Sequence, residues 1–312
     1  MYGVCSPCGR LVLIESSPPD LLEETAEPHD LTPYCIIGAT DSVTAVVGYP
    51  LFSLEEPSTT LALSSMRDHP IRLNSALTGY LGASYPLVNP MTEAFISPHS
   101  LLFSNDGCRF VAGSESQIST FDLSRPGQEP ITSIPTGPKR RNHPQFSSAV
   151  NMRGIVSALA VDSSTRMMAA GTYSRHVGLY DAMGKGECVG VFSVKGTDAD
   201  LHIGGGGITQ VSWSPCGRYL YITERKSSGI ILYDIRNTGQ LLAWLEGRNA
   251  QTNQRLGIDL VRTDDQSGHE VWAGGLDGYI RMWKDPHTKE CSISPTFEVK
   301  GHGGKCSFSC SC

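Results

Sequence analysis

The chain has 312 residues, a formal charge of -6 and only 18% charged residues, with 33 Gly and 19 Pro. That balance, with many short apolar runs, favours an all-β fold with frequent turns. No window approaches the ~18–20 apolar residues of a membrane-spanning helix. The start, MYGVCSPCGRLVLIE, lacks the basic segment and long apolar stretch of a secretory leader. Ten cysteines do not make a disulfide framework in a chain of this size, so a soluble protein of a reducing compartment, cytoplasm or nucleus, is expected. Residues 1–30 carry a net -5 and the rest only -1, so bulk charge neither demands nor forbids a nucleic-acid partner.

In chain order, the turn Ser6-Pro7-Cys8-Gly9 and the strand-like LVLI (11–14) read as two strands of a blade, followed by SSPPDLLEE. Residues 1–37 are therefore expected to be the remnant of a first blade plus an acidic linker. A weak copy of a repeat follows in SVTAVVGYPLF (42–52), TTLALSS (59–65) and HPIRLNSAL (69–77). Four stronger copies align: RFVAGSESQISTFDL (109–123), RMMAAGTYSRHVGLYDA (166–182), RYLYITERKSSGIILYDI (218–235) and EVWAGGLDGYIRMWKD (270–285). Each is an apolar run, a polar or Gly-containing turn and a second run ending FD, YD, YD or WK. Ahead of them lie HSLLFS (99–104), GIVSALAV (154–161), GITQVSWS (207–214) and LGIDLV (256–261), with Ser-x-x-Gly turns at 104–107 and 214–217.

Short strands recurring every 50–59 residues predict one four-stranded antiparallel blade per repeat, an all-β, WD40-type β-propeller. The competing reading is a β-sandwich with coincidental similarity. Five full blades span about 38–88, 93–137, 153–196, 206–247 and 254–301, so the blade region is 38–301, with a Pro/Ser-rich basic insert near 126–151. Residues 302–312 are expected to be an unstructured tail. The propeller is expected to be incomplete at both ends, leaving strand edges near 38–48 and 296–301 unprotected. The buried His–Ser/Thr–Asp–Trp network of Trp-Asp repeats is degraded: Asp277 and Trp283 are present, but no Gly-His dipeptide opens that repeat. Apolar packing between blades is expected to carry the fold instead.

The loops between second and third strands and those joining blades share one face of a propeller. They hold Arg67, Asp68 and His69, then Arg175, then Arg225 and Lys226, with Lys139, Arg140, Arg141, Arg153, Arg248 and Arg255 in the connections. Nearby acids are fewer: Glu115, Asp198, Asp200, Glu224 and Asp277. A basic face of this kind suits phosphate binding, and Arg67, His69, Arg153, Arg175, Arg225, Lys226 and Arg255 are its candidate RNA or partner contacts. Arg67 and Arg255 could equally tie loops through backbone carbonyls. Aromatics for stacking on bases are few, Tyr173 and Tyr85. Lys139, Arg140 and Arg141 make the insert either an RNA arm or import patch, or simply a solvated loop. Gly204–Gly207 lacks the strand–glycine–helix context of a phosphate loop and reads as an entry turn. Cys306, Cys310, Cys312 and His302 have poor zinc-ligand spacing. Asp181 and Asp234 sit at repeat-equivalent strand ends and are fold residues. No catalytic set, metal, cofactor, membrane association or small-molecule substrate is expected.

Several stretches are more specific than a generic repeat: PPDLLEE (18–24), SSMRDHPIRLNSALTG (64–79), RGIVSALAVDSSTRMMAAGTYSRHVGLYD (153–181), GGGITQVSWSPCGRYLY (205–221), RKSSGIILYDIR (225–236) and TNQRLGIDL (252–260). In these the chain resembles the WD-repeat telomerase Cajal body protein family, in its fungal, splicing-associated branch. The resemblance implies a nuclear, non-enzymatic scaffold that binds small nuclear, Cajal-body-type RNAs or their ribonucleoprotein particles, accessory to pre-mRNA splicing. The other reading of the same fold is a protein–protein adaptor without RNA contact.

Overall fold

Apolar runs of four to six residues, separated by turns rich in Gly, Ser and Asp, become short antiparallel strands in the computed structural model. The structure describes residues 2–6, 10–14, 35–137, 152–237, 239–263 and 268–301. The expected basic patch Lys139, Arg140 and Arg141 and the tail 302–312 lie outside these described residues.

The first sheet has three strands in the order β1 (Tyr2–Ser6), β2 (Arg10–Ile14) and β3 (Cys35–Gly38). Sequence reasoning gives this remnant two strands; the third is the tetrapeptide Cys35–Gly38, too short to register as a repeat. Five sheets of four consecutive blade strands follow. They are β4 (Val43–Gly48), β5 (Leu61–Met66), β6 (Ile71–Ser75) and β7 (Leu81–Tyr85); then β8 (Ser100–Phe103), β9 (Arg109–Ser114), β10 (Gln117–Asp122) and β11 (Thr132–Pro135). Next come β12 (Val156–Val161), β13 (Met168–Thr172), β14 (His176–Tyr180) and β15 (Cys188–Ser193). The fourth of the five holds β16 (Ile208–Trp213), β17 (Tyr219–Glu224), β18 (Ile230–Asp234) and β19 (Leu241–Leu245). The last holds β20 (Ile258–Arg262), β21 (His269–Gly274), β22 (Tyr279–Lys284) and β24 (Phe297–Lys300). Between β22 and β24 the chain crosses to the preceding sheet, where β23 (Cys291–Ile293) adds in parallel along β19 and covers that edge. One helix, α1 (Asp198–Ile203), joins β15 to β16.

The blade strands open in a shared way. Register shifts at the starts of β4, β12 and β16 place one extra residue, Thr44, Ser157 or Thr209, in a bulge. Each carries a hydroxyl that donates across to its partner strand, to the carbonyls of Ser65, Gly171 and Thr223. Two also reach toward the following blade: Thr44 Oγ1 donates to Pro98 O at 2.6 Å, and Ser157 Oγ to Ile208 O at 2.6 Å. The expected Ser-x-x-Gly turns form as well, with Gly107 N donating to Ser104 O and Gly217 N to Ser214 O.

By its contacts the chain divides into two units: one holding β1–β8 with residues 109–112 and 121–131, the other residues 113–120 and the strands from β11 onward. In the first, Leu63, Ile71, Tyr85, Phe103, Phe110 and Phe121 form the core, with Phe110 and Phe121 stacked at 4.8 Å. In the second, successive residues of one sheet serve two cores. Leu220, Ile222, Ile231, Tyr233 and Trp244 pack toward β12–β15, whereas Tyr221, Ile230, Leu232, Ala243 and Leu245 pack toward β20–β22. A sheet buried on both faces needs apolar residues at nearly every position, which is why YLYIT and IILYD read as continuous runs. Packing between inner strands is close: a Cβ on Gly171 would come within 2.5 Å of Ile208 Cγ2. In the last blade Trp283 is fully buried with its Nε1 unbonded among the described residues, and Asp277 pairs with Arg281 at 2.7 Å. The indole is a packing residue, in keeping with apolar contacts as the main support.

Candidate functional site

Each of the five hairpins between second and third blade strands places one residue in the left-handed region: Asp68, Ser116, Arg175, Lys226 and Gly278, with φ of 55°, 53°, 69°, 54° and 79°. Glycine takes that conformation at least cost, and only the last turn has one. In the second unit two of the basic candidates, Arg175 and Lys226, therefore stand at strained turn positions. The turns are joined to the blade connections by backbone bonds. Gly206 N donates to Arg225 O at 2.9 Å, Arg225 N to Gly207 O at 3.0 Å, and Lys226 N to Thr252 O at 2.9 Å.

Arg175 does not face solvent. Its side chain is buried, with Nε donating to Glu224 Oε1 at 2.7 Å and Nη2 to Glu224 Oε2 at 2.6 Å, while Nη2 also lies 2.7 Å from Asp200. Burial pushes the Glu224 carboxyl up, and the two-pronged guanidinium offsets that push. Burial also disfavours ionised Asp200, but Arg175 and the Gly196 N–H outweigh it and hold that carboxyl below its usual range. Asp200 is delivered by α1, whose first turn is capped by Thr197 Oγ1 accepting from Asp200 N. Arg175, expected as an RNA contact, is thus committed to a buried ion-pair cluster that ties the β13–β14 turn to the end of β17 and to α1.

The glycine run 204–207 is part of the same construction. A Cβ on Gly205 would lie 2.1 Å from Glu224 Oε2 and 2.7 Å from Arg175 Nη2; one on Gly207, already at φ 137°, would lie 2.9 Å from Tyr173 O. The run is an entry turn into β16, as its sequence suggests, and also the only backbone thin enough to admit the ion pair.

Above this cluster sit the exposed cations. Arg225 Nε donates to Gly206 O at 2.7 Å, and its Cζ lies 4.6 Å from the centre of the Tyr173 ring. Arg255 approaches the same tyrosine, donating from Nη2 to the phenol oxygen at 2.9 Å with Cζ 5.9 Å from the ring centre. Arg255 and Lys226 are exposed, Arg225 and Tyr173 half-buried. Arg153 is exposed, and its carbonyl accepts from Ser174 Oγ beside Tyr173. Arg153, Arg225, Lys226 and Arg255 are therefore gathered around the turns at one end of the second unit. None of them forms an ion pair within 4.0 Å among the described residues.

Two candidates lie elsewhere. Arg67 is exposed on the β5–β6 turn of the first unit, repeat-equivalent to the Arg175 turn. His69 spends its ring locally, with Nδ1 2.7 Å from Arg67 O and Nε2 3.1 Å from Thr40 Oγ1. Tyr85, considered for base stacking, is 0% exposed and donates to Leu123 O at 2.7 Å, so it is a core residue.

Sequence reasoning noted Arg248 only as a loop cation. It is 1% exposed and held by three carbonyls: Nε donates to Gly274 O at 3.2 Å, and Nη2 to Leu256 O at 2.6 Å and Gly257 O at 3.0 Å. Burial lowers its pKa to about 10. These bonds pin the connection that presents Arg255. No single-residue signal distinguishes Arg248 from its exposed neighbours; the fold alone turns it inward. Among the described residues no group of three or more His, Cys, Asp or Glu could hold a metal ion, and no helix is long and apolar enough to cross a membrane.

Consecutive four-stranded antiparallel blades, with inner strands linked across blades, define a WD-repeat β-propeller, the architecture of scaffold-type proteins. No protein-family model matches the sequence. Curated relatives do. Guanine nucleotide-binding protein negative regulator 1 of Schizosaccharomyces pombe is 32% identical over 238 residues, 76% of this chain and 55% of its own length. Telomerase Cajal body protein 1 of Mus musculus is 30% identical over 278 residues, 88% of this chain and 47% of its own. Protein SWT21 of Vanderwaltozyma polyspora is 25% identical over 291 residues, 85% of this chain and 65% of its own. The chain belongs to the WD-repeat telomerase Cajal body protein family. It spans about half the length of the first two relatives.

Proposed function

We propose that the protein is a non-enzymatic nuclear scaffold that associates with small nuclear, Cajal-body-type RNAs or their ribonucleoprotein particles, as an accessory to pre-mRNA splicing. The observation that carries this reading is the grouping of Arg225, Lys226 and Arg255 around Tyr173, while Glu224 and Asp200 are bound to Arg175. With those two acids engaged by Arg175, the exposed cations are left for an outside anion. A cationic surface with an aromatic ring suits a phosphodiester backbone better than a neutral peptide. Arg153 extends the same surface, and Arg67 would supply a further contact from the equivalent turn of the first unit. The relative named for telomerase and the Cajal body supports a nuclear RNA particle as the partner.

The test is ultraviolet crosslinking in cells, followed by denaturing purification and sequencing of attached RNA. Enrichment of a small set of nuclear RNAs is expected. Recovery of nothing beyond background, with intact protein partners, would make the protein an adaptor and overturn the RNA reading.

A further inference from the structure

We propose that Arg225, laid against Tyr173 and tethered to the glycine run, is a stacking platform for one unpaired base of single-stranded RNA, with Lys226 and Arg255 taking flanking phosphates. The proposal rests on the RNA reading above and adds the class of RNA and the mode of contact.

Four observations converge on it. Arg225 is pre-oriented: its amide, carbonyl and Nε all bond to the run 206–207, and its Cζ sits 4.6 Å from the Tyr173 ring centre. An arginine already fixed loses little freedom when a ligand arrives. Among the described residues its two terminal nitrogens carry no hydrogen bond, so the planar end of the side chain keeps its donors for a ligand. The assembly tolerates nothing larger than glycine beneath it, since a Cβ on Gly207 would lie 3.1 Å from Arg225 Nε. Finally, Arg255 and Lys226 stand exposed on either adjoining loop, each on a segment anchored from below: Arg255 by Arg248, and Lys226 by its amide bond to Thr252 O.

A tyrosine ring backed by a guanidinium offers a flat, cationic surface. Compact anions would use the charge but not the flatness, whereas a nucleobase uses both. In a duplex the base faces are already stacked, so only an unpaired base can meet this surface. A phosphopeptide would engage the charges alone.

The experiment measures binding of the full chain to an oligouridine of about ten nucleotides, to its duplex, and to an abasic strand of the same length. Variants Arg225→Lys, which keeps the charge but loses the planar fork, and Tyr173→Leu are compared, with melting curves confirming that each is folded. Loss of stacking on one base is worth roughly ten- to a hundredfold in affinity. The platform predicts that loss for the abasic strand and for each variant on oligouridine. It also predicts an unchanged salt slope for Arg225→Lys, and no effect of either variant on the abasic strand. Equal affinity for oligouridine and the abasic strand would overturn it, as would variants within twofold of the parent, or a phosphopeptide of matched charge bound as tightly. RNA binding that survives both variants sinks the platform alone; absence of any single-stranded RNA binding sinks it together with the RNA reading.

Discussion

Arg175 and Lys226 occupy like turns with like backbone strain, and in sequence they are the same kind of residue: a cation in a polar loop. Their fates differ because of Glu224, whose carboxylate lies 49 positions along the chain from Arg175 and meets it only in the fold. Nothing local to Arg175 announces that partner, so its burial was not legible, whereas the exposure of Lys226 and Arg255 was. Removing Arg175 leaves a buried carboxylate uncompensated, and Arg175→Ala should lose about 3–5 kcal/mol in urea unfolding. Lys226→Gly should gain up to about 1 kcal/mol, because the left-handed turn no longer carries a Cβ. A stable Arg175→Ala protein would contradict the clamp.

His269 makes a second residue-scale prediction. Its ring is 3% exposed, stacked on His287 at 4.6 Å, with Nε2 2.7 Å from the Tyr221 hydroxyl. Burial first, and then the neighbouring His287, lowers its pKa to about 4. An unfolded histidine titrates near 6.5, so between roughly pH 6.5 and pH 4 the unfolded chain binds the proton that the folded chain refuses. This group therefore costs nothing above that window, removes stability progressively as pH falls through it, and adds no further loss below. Nuclear magnetic resonance should find the imidazole neutral at pH 5. A titration midpoint near 6.5 would contradict the buried placement.

At the scale of elements, the strands were legible because the chemistry that makes them repeats. Phe121-Asp122, Tyr180-Asp181, Tyr233-Asp234 and Trp283-Lys284 close or follow the third strand of four blades, each with the aromatic turned inward. Short edge pieces were not legible. Cys291–Ile293 becomes a strand only because the β19 edge is there to receive it, and Cys35–Gly38 only because β2 is. The bulges were invisible for a similar reason: a serine or threonine at a strand start is unremarkable until its hydroxyl finds two carbonyls. Ser157 makes the clearest case, joining β12 to β13 and to β16. Ser157→Ala should cost about 1–2 kcal/mol by losing that cross-blade bond, with the slope of urea unfolding unchanged. A change under a few tenths would show that the hydroxyl contributes nothing to joining the blades.

For the whole molecule, repetition made the propeller class readable from sequence, since matched runs in matched order need matched blades to bury them. The interface was readable only as a tally of loop cations. Which of them cluster depended on ion pairs and close glycine packing that no repeat encodes. In the second unit that sorting leaves Arg225, Lys226 and Arg255 outward around Tyr173 and Arg175 inward, and this division is the core of the functional account. Its most direct test is the salt dependence of binding to single-stranded RNA by the full chain and by the Arg225→Ala, Lys226→Ala, Arg255→Ala triple variant. Each phosphate contact contributes about 0.7 to the log–log slope, so the triple variant should bind more weakly with a slope shallower by roughly 2. Arg109→Ala with Arg218→Ala, on exposed turns at the other strand ends, should leave both affinity and slope unchanged. Equal slopes for the parent and the triple variant, or equal losses from the two sets, would contradict the account.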